Sequence, residues 1–385
     1  MRDYPVSLLE KLLETYSPSG TESQIADLLG DEMSRIGFDV TTDDVGNVIG
    51  EVGTGTPSIM LCGHMDTVPG LLPVKREGGK LYGRGAVDAK SPLAMMLVAS
   101  AKMIKRRFPG RLQLVAVVEE EETGRGIRNI IKKGISADYA IFGEPSGTSN
   151  VTIGYKGSLH LKVTCETETG HAAAPWLFEN AIEHALNVWR AIGSIRFNEE
   201  DPNSRFYSTT SCLTRIDGGN GLNEIPSICT LDADIRIPPK VTAEKFMDRA
   251  EQCVQRHRQG NPKTKVTLEL KDKEEPFETD KSSALVRSFK WAIREVTSQP
   301  AVLVRKTGTA DINAFAAAVK RPMIAYGPGD SRLDHTASEH VKITEYLDSI
   351  EVCQEALSRL ARIDSLQRKR GGTKADTTHR ELATD

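Results

Sequence analysis

The sequence predicts an α/β protein with a mostly parallel central sheet, interrupted by an inserted ferredoxin-like (α+β) domain. Three observations lead there. The first third alternates short, almost wholly apolar strand runs with helical ones, the pattern of a sheet covered on both faces. The middle third has strands that alternate apolar and polar residues, so one of their faces is solvated or forms an interface. The last third returns to the first pattern.

Taken in order, the chain opens on Leu8, Leu9, Leu12 and Leu13 at helical spacing within Met1 to Glu14. Strands are expected at Asn47–Val52 and, fully apolar, at Ser58–Cys62. A long helix runs from Lys90 to about Arg106, with Pro92 early enough to sit in its first turn. Leu112–Val118, a helix near Ile127–Lys133 and a strand at Tyr139–Phe142 come next. In the middle, strand Ser158–Glu166, helix Asn180–Ile192, strands Phe206–Ile216 and Ser227–Ile237, helix Ala243–Arg258 and strand Lys265–Leu270 spell βαββαβ, the split βαβ order. From Phe277 the α/β pattern resumes with helix Ser282–Val296, strand Ala301–Val304, helix Ala310–Val319, strand Pro322–Tyr326 and a last helix Ile343–Ile363. The domains are therefore drawn as 1–156 with 273–364, and 157–272. The tail 365–385 has almost nothing apolar to bury and is expected to lack structure.

Composition narrows the function. At 385 residues two domains are the default, and 39% hydrophobic with 27% charged residues is the make-up of a soluble globular chain. A net charge of -3 argues against a nucleic-acid partner. The longest apolar run, Leu93–Ala101, is roughly half of the ~20 residues that span a bilayer, so no membrane association is expected. Six scattered cysteines without CxxC spacing, and no secretory signal at the start, point to reduced thiols and a cytoplasmic location.

Chemistry concentrates where the apolar strands stop, the carboxyl ends at which open α/β sheets place their sites. In GHMDTV, His64 and Asp66 lie two apart and share a side, so His64 can bind a metal while Asp66 accepts its other ring proton. Asp88 in GRGAVDAK precedes a helix and is either an N-cap or a ligand. The run Glu119 to Glu122 is either a solvated face or, because it abuts a buried strand, a set of carboxylates that needs a cation or proton between them. Glu144 ends another strand in FGEPS, and His335 sits in a Gly/Pro-rich loop, LDHTASEH, with no core role in view. Together these nitrogen and oxygen donors make a hard, zinc-favouring set.

The series GHMDTV, GRGAVDAK, VEEEE followed by Gly126, GEPS, TGHAA, NEIP, DIRIP, GTAD and DHTASEH resembles the zinc peptidase family of aminoacylases, glutamate carboxypeptidases, acetylornithine deacetylase and succinyl-diaminopimelate desuccinylase, in family order and to about Ile363. The resemblance implies a di-zinc aminopeptidase-like catalytic domain and makes the insertion a lid and dimerisation domain of a homodimer. It implies two Zn2+ per subunit, with Co2+ able to substitute. Asp88 would bridge the ions, His64 and Glu144 would complete one, and Glu121 and His335 the other. It makes Glu120 the general base, with Glu121 as base and Glu122 as ligand the alternative register, and it implies a cis Asp88–Ala89 peptide. His171 of TGHAA would reach a partner subunit's site to stabilise the oxyanion.

For the substrate, Asn223 and Arg236 look like lid contacts to a carboxylate or carbonyl, and Thr309 and Asp311 like acceptors for a substrate amine. RKTGTADIN, GYKGSLH and YGPGDSRLDHTASEH resemble one subgroup, the hydrolases that release lysine or ornithine from the small acidic amino-group carrier protein LysW in lysine and arginine biosynthesis. There the amine is amide-linked to the γ-carboxyl of the carrier's terminal glutamate. A basic rim of Lys156, Arg215, Arg305 and Lys306 would steer that partner. The rival readings are a small-molecule deacylase acting on an N-acetyl or N-succinyl amine, a dipeptidase, and a non-catalytic metal-binding scaffold.

Overall fold

The computed structural model describes residues 3–219 and 221–381. In chain order the elements are α1 (Asp3–Glu14), α2 (Ser23–Ile36), β1 (Asp39–Thr42), β2 (Val48–Val52), β3 (Ser58–His64), β4 (Lys75–Glu77), β5 (Lys80–Tyr82), α3 (Lys90–Lys105), β6 (Arg111–Val117), α4 (Arg125–Lys132), β7 (Tyr139–Phe142) and β8 (Asn150–Tyr155). Then come β9 (Gly157–Glu166), α5 (Ala181–Gly193), β10 (Thr210–Gly218), β11 (Ile228–Ile237), α6 (Ala243–Gly260), β12 (Lys265–Glu274) and β13 (Phe277–Glu278). The chain closes with α7 (Ala284–Thr297), β14 (Val302–Lys306), α8 (Asp311–Ala318), β15 (Met323–Ala325), β16 (His340–Lys342) and α9 (Ile343–Glu381). They form two compact units, Met1–Ile153 with Thr279–Val304 and Ala314–Asp385, and Gly154–Glu278 with Arg305–Asn313.

In the first unit the sheet order is β1-β2-β6-β3-β7-β15-β8. β3 runs parallel to β6 and β7, and β15 parallel to β7, while β1, β2 and β8 pair antiparallel. The central strands are apolar throughout because both faces are covered: Ile59, Met60 and Leu61 of β3 are all fully buried. Leu93, Ala94, Met95, Met96 and Leu97 of α3 join the same core, as do Leu9 and Leu12 of α1 and Cys353, Leu357 and Leu360 of α9. A separate three-stranded sheet, β16-β5-β4, went unforeseen, since three-residue strands carry no readable periodicity.

The end of the chain departs from expectation. Ser365–Arg368 continue α9 rather than beginning a structureless tail. Arg368 donates to Asp364 (2.6 Å) and to Asp138 (3.0 Å), so ion pairs hold a turn that has no apolar face. Residues 382–385 of the expected tail lie outside the described residues.

The second unit carries an antiparallel sheet in the order β10-β11-β9-β12, the spatial order of a split βαβ unit. β11 alternates along its length, with Cys229, Leu231, Ala233, Ile235 and Ile237 buried against α5 and α6. Asn180 caps α5 by accepting the N–H of Ile182 (3.0 Å), and Thr242 caps α6 at Lys245 (3.2 Å). Arg305–Asn313 belongs to this unit, outside the 157–272 boundaries drawn from sequence. Asn313 fastens it, donating to the carbonyls of Lys156 (3.0 Å) and Glu275 (2.7 Å). Among the described residues the cysteines form no disulfide, and no helix is long and apolar enough to cross a membrane.

Candidate active site

The parallel register aligns three strand ends. His64 pairs with Val117 across β3 and β6, and Cys62 with Phe142 across β3 and β7. The residues at and just past these three strand ends are therefore brought together: His64 and Asp66, the run Glu119 to Glu122, and Glu144. Asp66 organises two of these segments. It is fully buried, its Oδ1 lies 3.3 Å from His64 Nδ1, and its two oxygens accept the backbone N–H groups of Glu120 and Glu121, both at 3.1 Å. Ser19 adds its hydroxyl at 2.7 Å. Burial disfavours the Asp66 charge, but His64 and these donors outweigh it and hold the carboxyl below its usual range.

Asp88 precedes α3 behind a cis Asp88–Ala89 peptide. The N-cap position of that helix is Ala89, without a side-chain cap, so Asp88 does not serve as the cap. Its carboxylate instead spans two imidazoles: Oδ1 is 3.2 Å from His64 Nε2 and Oδ2 is 3.1 Å from His335 Nε2. His335 Nε2 is also 3.0 Å from Glu121 Oε1. His64, Asp88 and Glu121 each present one ligand atom, all within 4.8 Å of one another. Of the glutamate run, Glu121 bonds to His335 in this cluster and the charge of Glu120 acts on His64, while Glu122 is exposed. Glu144 is buried two residues beyond β7.

The electrostatics are those of a site short of positive charge. Burial works against a charged His64, yet hydrogen bonds to Asp66 and Asp88 and the charge of Glu120 raise it well above the ordinary imidazole value. His335 is pushed up to about 9 by its bond to Asp88 and the nearby Glu121, against partial burial. Glu121 is raised by burial and by the charge of Asp88, and Asp88 is held low, against burial, by the two histidines. Imidazole nitrogens and carboxylate oxygens at this spacing fit divalent cations, which would take over the charge that the imidazole protons carry here.

Three supporting residues were missed. Ser19 lies in SPSG, which reads only as a turn. Lys90 of GRGAVDAK is buried and donates to the carbonyls of Leu12 (3.1 Å) and Thr15 (2.7 Å), tying the start of α3 to the end of α1. Burial brings its ammonium down to about 7. Glu339 of DHTASEH bonds the loop that carries Asp88. The last two sat within motifs already singled out.

The remaining candidates lie in the second unit, in two places. His171 Nδ1 accepts the N–H of Ala173 (3.0 Å), Ala172 N–H donates to Asn223 O (2.9 Å), and a backbone bridge pairs His171 with Glu224, so the segments carrying His171 and Asn223 lie side by side. Arg236 forks onto Asp234 at 2.7 and 2.8 Å and approaches Thr309 Oγ1 at 3.4 Å, with Asp311 buried at the start of α8. One expectation fails. Lys156 is fully buried and cannot be part of a basic rim, because its ammonium is spent on Ser208 O (2.6 Å), Arg205 O (3.3 Å) and Thr210 Oγ1 (3.0 Å). Arg215 is exposed beside Asp217, and Arg305 pairs with Glu278 at 2.7 Å.

A Pyrococcus furiosus protein provisionally named as a LysW-lysine/LysW-ornithine hydrolase is 36% identical over 359 residues, covering 93% of this chain and 98% of that one. The LysW-lysine hydrolase of Deinococcus radiodurans is 34% identical over 92% of this chain and 96% of its own. The crystal structure of aminopeptidase PepT from Bacillus cereus has the same fold, with a TM-score of 0.80 at 19% identity over 94% of this chain and 99% of that one. The model of Peptidase family M20/M25/M40 matches residues 60–362, and the chain belongs to that family.

Proposed function

We propose that this chain hydrolyses the amide that links the α-amine of lysine or ornithine to the γ-carboxyl of the terminal glutamate of the carrier LysW, in lysine and arginine biosynthesis. The observation that carries the reading is the pairing of relatives named as LysW-lysine or LysW-ornithine hydrolases, spanning nearly the whole chain, with a histidine and carboxylate cluster spaced to hold a metal ion. The ions are proposed to be two Zn2+ per subunit, with Co2+ able to substitute. Asp88 would lie between them, His64 and Glu144 on one side, and Glu121 and His335 on the other.

Bound ions supply the positive charge that polarises an amide carbonyl and makes water a nucleophile near neutral pH. The rest falls to the protein. Asp66 holds the His64 Nδ1 proton through its backbone carbonyl (3.1 Å) and its carboxylate (3.3 Å), which leaves the lone pair of Nε2, on the side of Asp88, to bind a cation. Glu120, whose N–H is anchored on Asp66, takes a proton from the attacking water and passes it to the departing amine as the C–N bond breaks. The products are the carrier's free γ-carboxylate and the amino acid. The second unit is proposed to act as a lid and as the homodimer contact, with His171 stabilising the oxyanion in the partner's site. Asn223 and Arg236 would hold a carboxylate or carbonyl, and Thr309 and Asp311 the substrate's side-chain amine. Arg215, Arg305 and Lys306 remain as the cationic edge for an acidic carrier. A cytoplasmic location suits the cysteines, which carry no disulfide.

The test is amine release from purified enzyme given lysine-loaded carrier, ornithine-loaded carrier, N-acetyllysine and N-acetylornithine. Preference for the loaded carriers is expected; preference for the acetyl compounds would replace this reading with a small-molecule deacylase. Glu120→Gln should keep its metal and lose about 10²- to 10⁴-fold in turnover. Turnover near wild type would remove Glu120 from the role of base.

A further inference from the structure

We propose that Glu339 is a positioning residue that clasps the Asp88 loop to the His335 loop, so that the two segments are presented to a cation as one unit. The proposal rests on the metal-site reading above. Glu339 is 1% exposed, and its Oε1 accepts two successive backbone N–H groups, those of Val87 (2.9 Å) and of Asp88 itself (3.1 Å). Its Oε2 accepts from Arg84 Nη1 at 2.7 Å. Arg84 is also buried and donates onward to Gly70 O (3.0 Å) and Thr336 O (3.3 Å).

The main chain makes the same connection. β5 and β16 pair Tyr82 with His340, and the N–H of Gly83 reaches the carbonyl of Glu339 at 3.4 Å. One carboxylate thus holds the amide of the residue that spans both imidazoles, from a position four residues beyond one of those imidazoles. His335 itself has φ 62, in the left-handed region, so its direction depends on the surrounding loop being held. The loop is held by Arg84 at Thr336 and by Glu339 at Val87 and Asp88.

The two halves of the clasp separate its structural work from its positioning work. Arg84→Met removes the cation but leaves Glu339 bonded to Val87 and Asp88. Glu339→Ala combined with Arg84→Met removes the bonds to the Asp88 loop as well, and strands no charge. Full-length protein, stripped with a chelator, is titrated with Co2+ and followed by calorimetry and visible absorption, with melting of the metal-free form measured in parallel. The double variant should bind Co2+ about 10- to 100-fold more weakly than Arg84→Met, with an altered visible band and a metal-free melting temperature close to that of Arg84→Met. Glu339→Gln, which keeps an oxygen for Val87 and Asp88, should retain more affinity than Glu339→Ala. Equal Co2+ affinity in Arg84→Met and the double variant, or in Glu339→Gln and Glu339→Ala, would overturn the clasp. Failure of the wild-type protein to bind Co2+ would instead overturn the metal site on which it rests.

Discussion

Replacing Asp66 by asparagine changes one atom and tests how the site is held. In the wild type, Oδ1 serves His64 Nδ1 (3.3 Å) and the N–H of Glu120 (3.1 Å), while Oδ2 serves the N–H of Glu121 (3.1 Å) and the hydroxyl of Ser19 (2.7 Å). An asparagine supplies one oxygen for these two places. With the oxygen at the first, the amide NH2 faces the N–H of Glu121, and only Ser19 can turn to accept. With the oxygen at the second, the NH2 faces both Glu120 N–H and His64 Nδ1, and the imidazole proton keeps only the backbone carbonyl of residue 66, 3.1 Å away. The first is cheaper, and it leaves one buried donor unpaired at about 1–3 kcal/mol. Because that donor is the amide of Glu121, the loss falls on the segment that carries a proposed ligand. Asp66→Asn should therefore lower the urea midpoint modestly and weaken divalent-metal binding or activity by about 10- to 100-fold. Ser19→Ala, which removes one donor to Asp66, should cost about 0.5–1.5 kcal/mol and leave metal binding nearer to wild type. The assays are urea unfolding after chelation, Co2+ titration, and amine release with saturating metal. Metal affinity and turnover in Asp66→Asn indistinguishable from wild type would refute the reasoning.

Two further outcomes arise from the charges. In the metal-free protein His335 is raised to about 9, chiefly by Asp88, so its contribution to stability is complete below the unfolded imidazole value of ~6.5 and is lost as pH rises through about 9. Lys90 (about 7) and Lys156 (about 8) push the other way over the same range, so the quantity to read is the difference between wild type and His335→Gln. That gap in urea midpoint should close between about pH 6.5 and 9; a gap that widens would contradict it. Lys156→Met should leave Arg205 O, Ser208 O and Thr210 Oγ1 without their shared donor, at about 1–3 kcal/mol, and hasten hydrogen exchange around 204–210. The salt dependence of carrier hydrolysis should not change; a shallower dependence would return Lys156 to the rim.

The parts legible in the sequence are those that periodicity controls. Apolar runs bounded by carboxylates located β3, β6 and β7 to within a residue or two, and with them His64, Glu121 and Glu144 at strand ends. Asp88 stayed ambiguous because an acidic residue ahead of a helix is most often a cap, and only the geometry shows Ala89 in that place. Lys156 misled because lysine is almost always exposed. The acceptors that bury it come from residues 205–210, far along the chain, in a segment read as the start of a strand; β10 begins only at Thr210. Glu339 was invisible for a related reason. Its partners lie about 250 residues earlier, and the strand pairing that brings them together is three residues long.

Asp66 and Glu339 solve one physical problem twice. Asp88 and Glu121 carry like charges toward the same place, and each stands in a loop that could relieve the repulsion by swinging away. Against this, each belongs to a pair of successive backbone N–H groups gripped by a buried carboxylate: Glu120 and Glu121 on Asp66, Val87 and Asp88 on Glu339. Gripping the amide of the residue itself limits the swing of its Cα while leaving the side-chain oxygens available. The repulsion that remains cannot be relaxed by the backbone and must be met by positive charge. Without a cation that charge is the proton on each imidazole, which is why both histidines are raised. With a cation bound as proposed, the added imidazole protons would be given up and the same oxygens would serve as ligands. The affinity proposed for the site then depends on the two buried carboxylates that hold its loops as well as on the residues that would bind the cation.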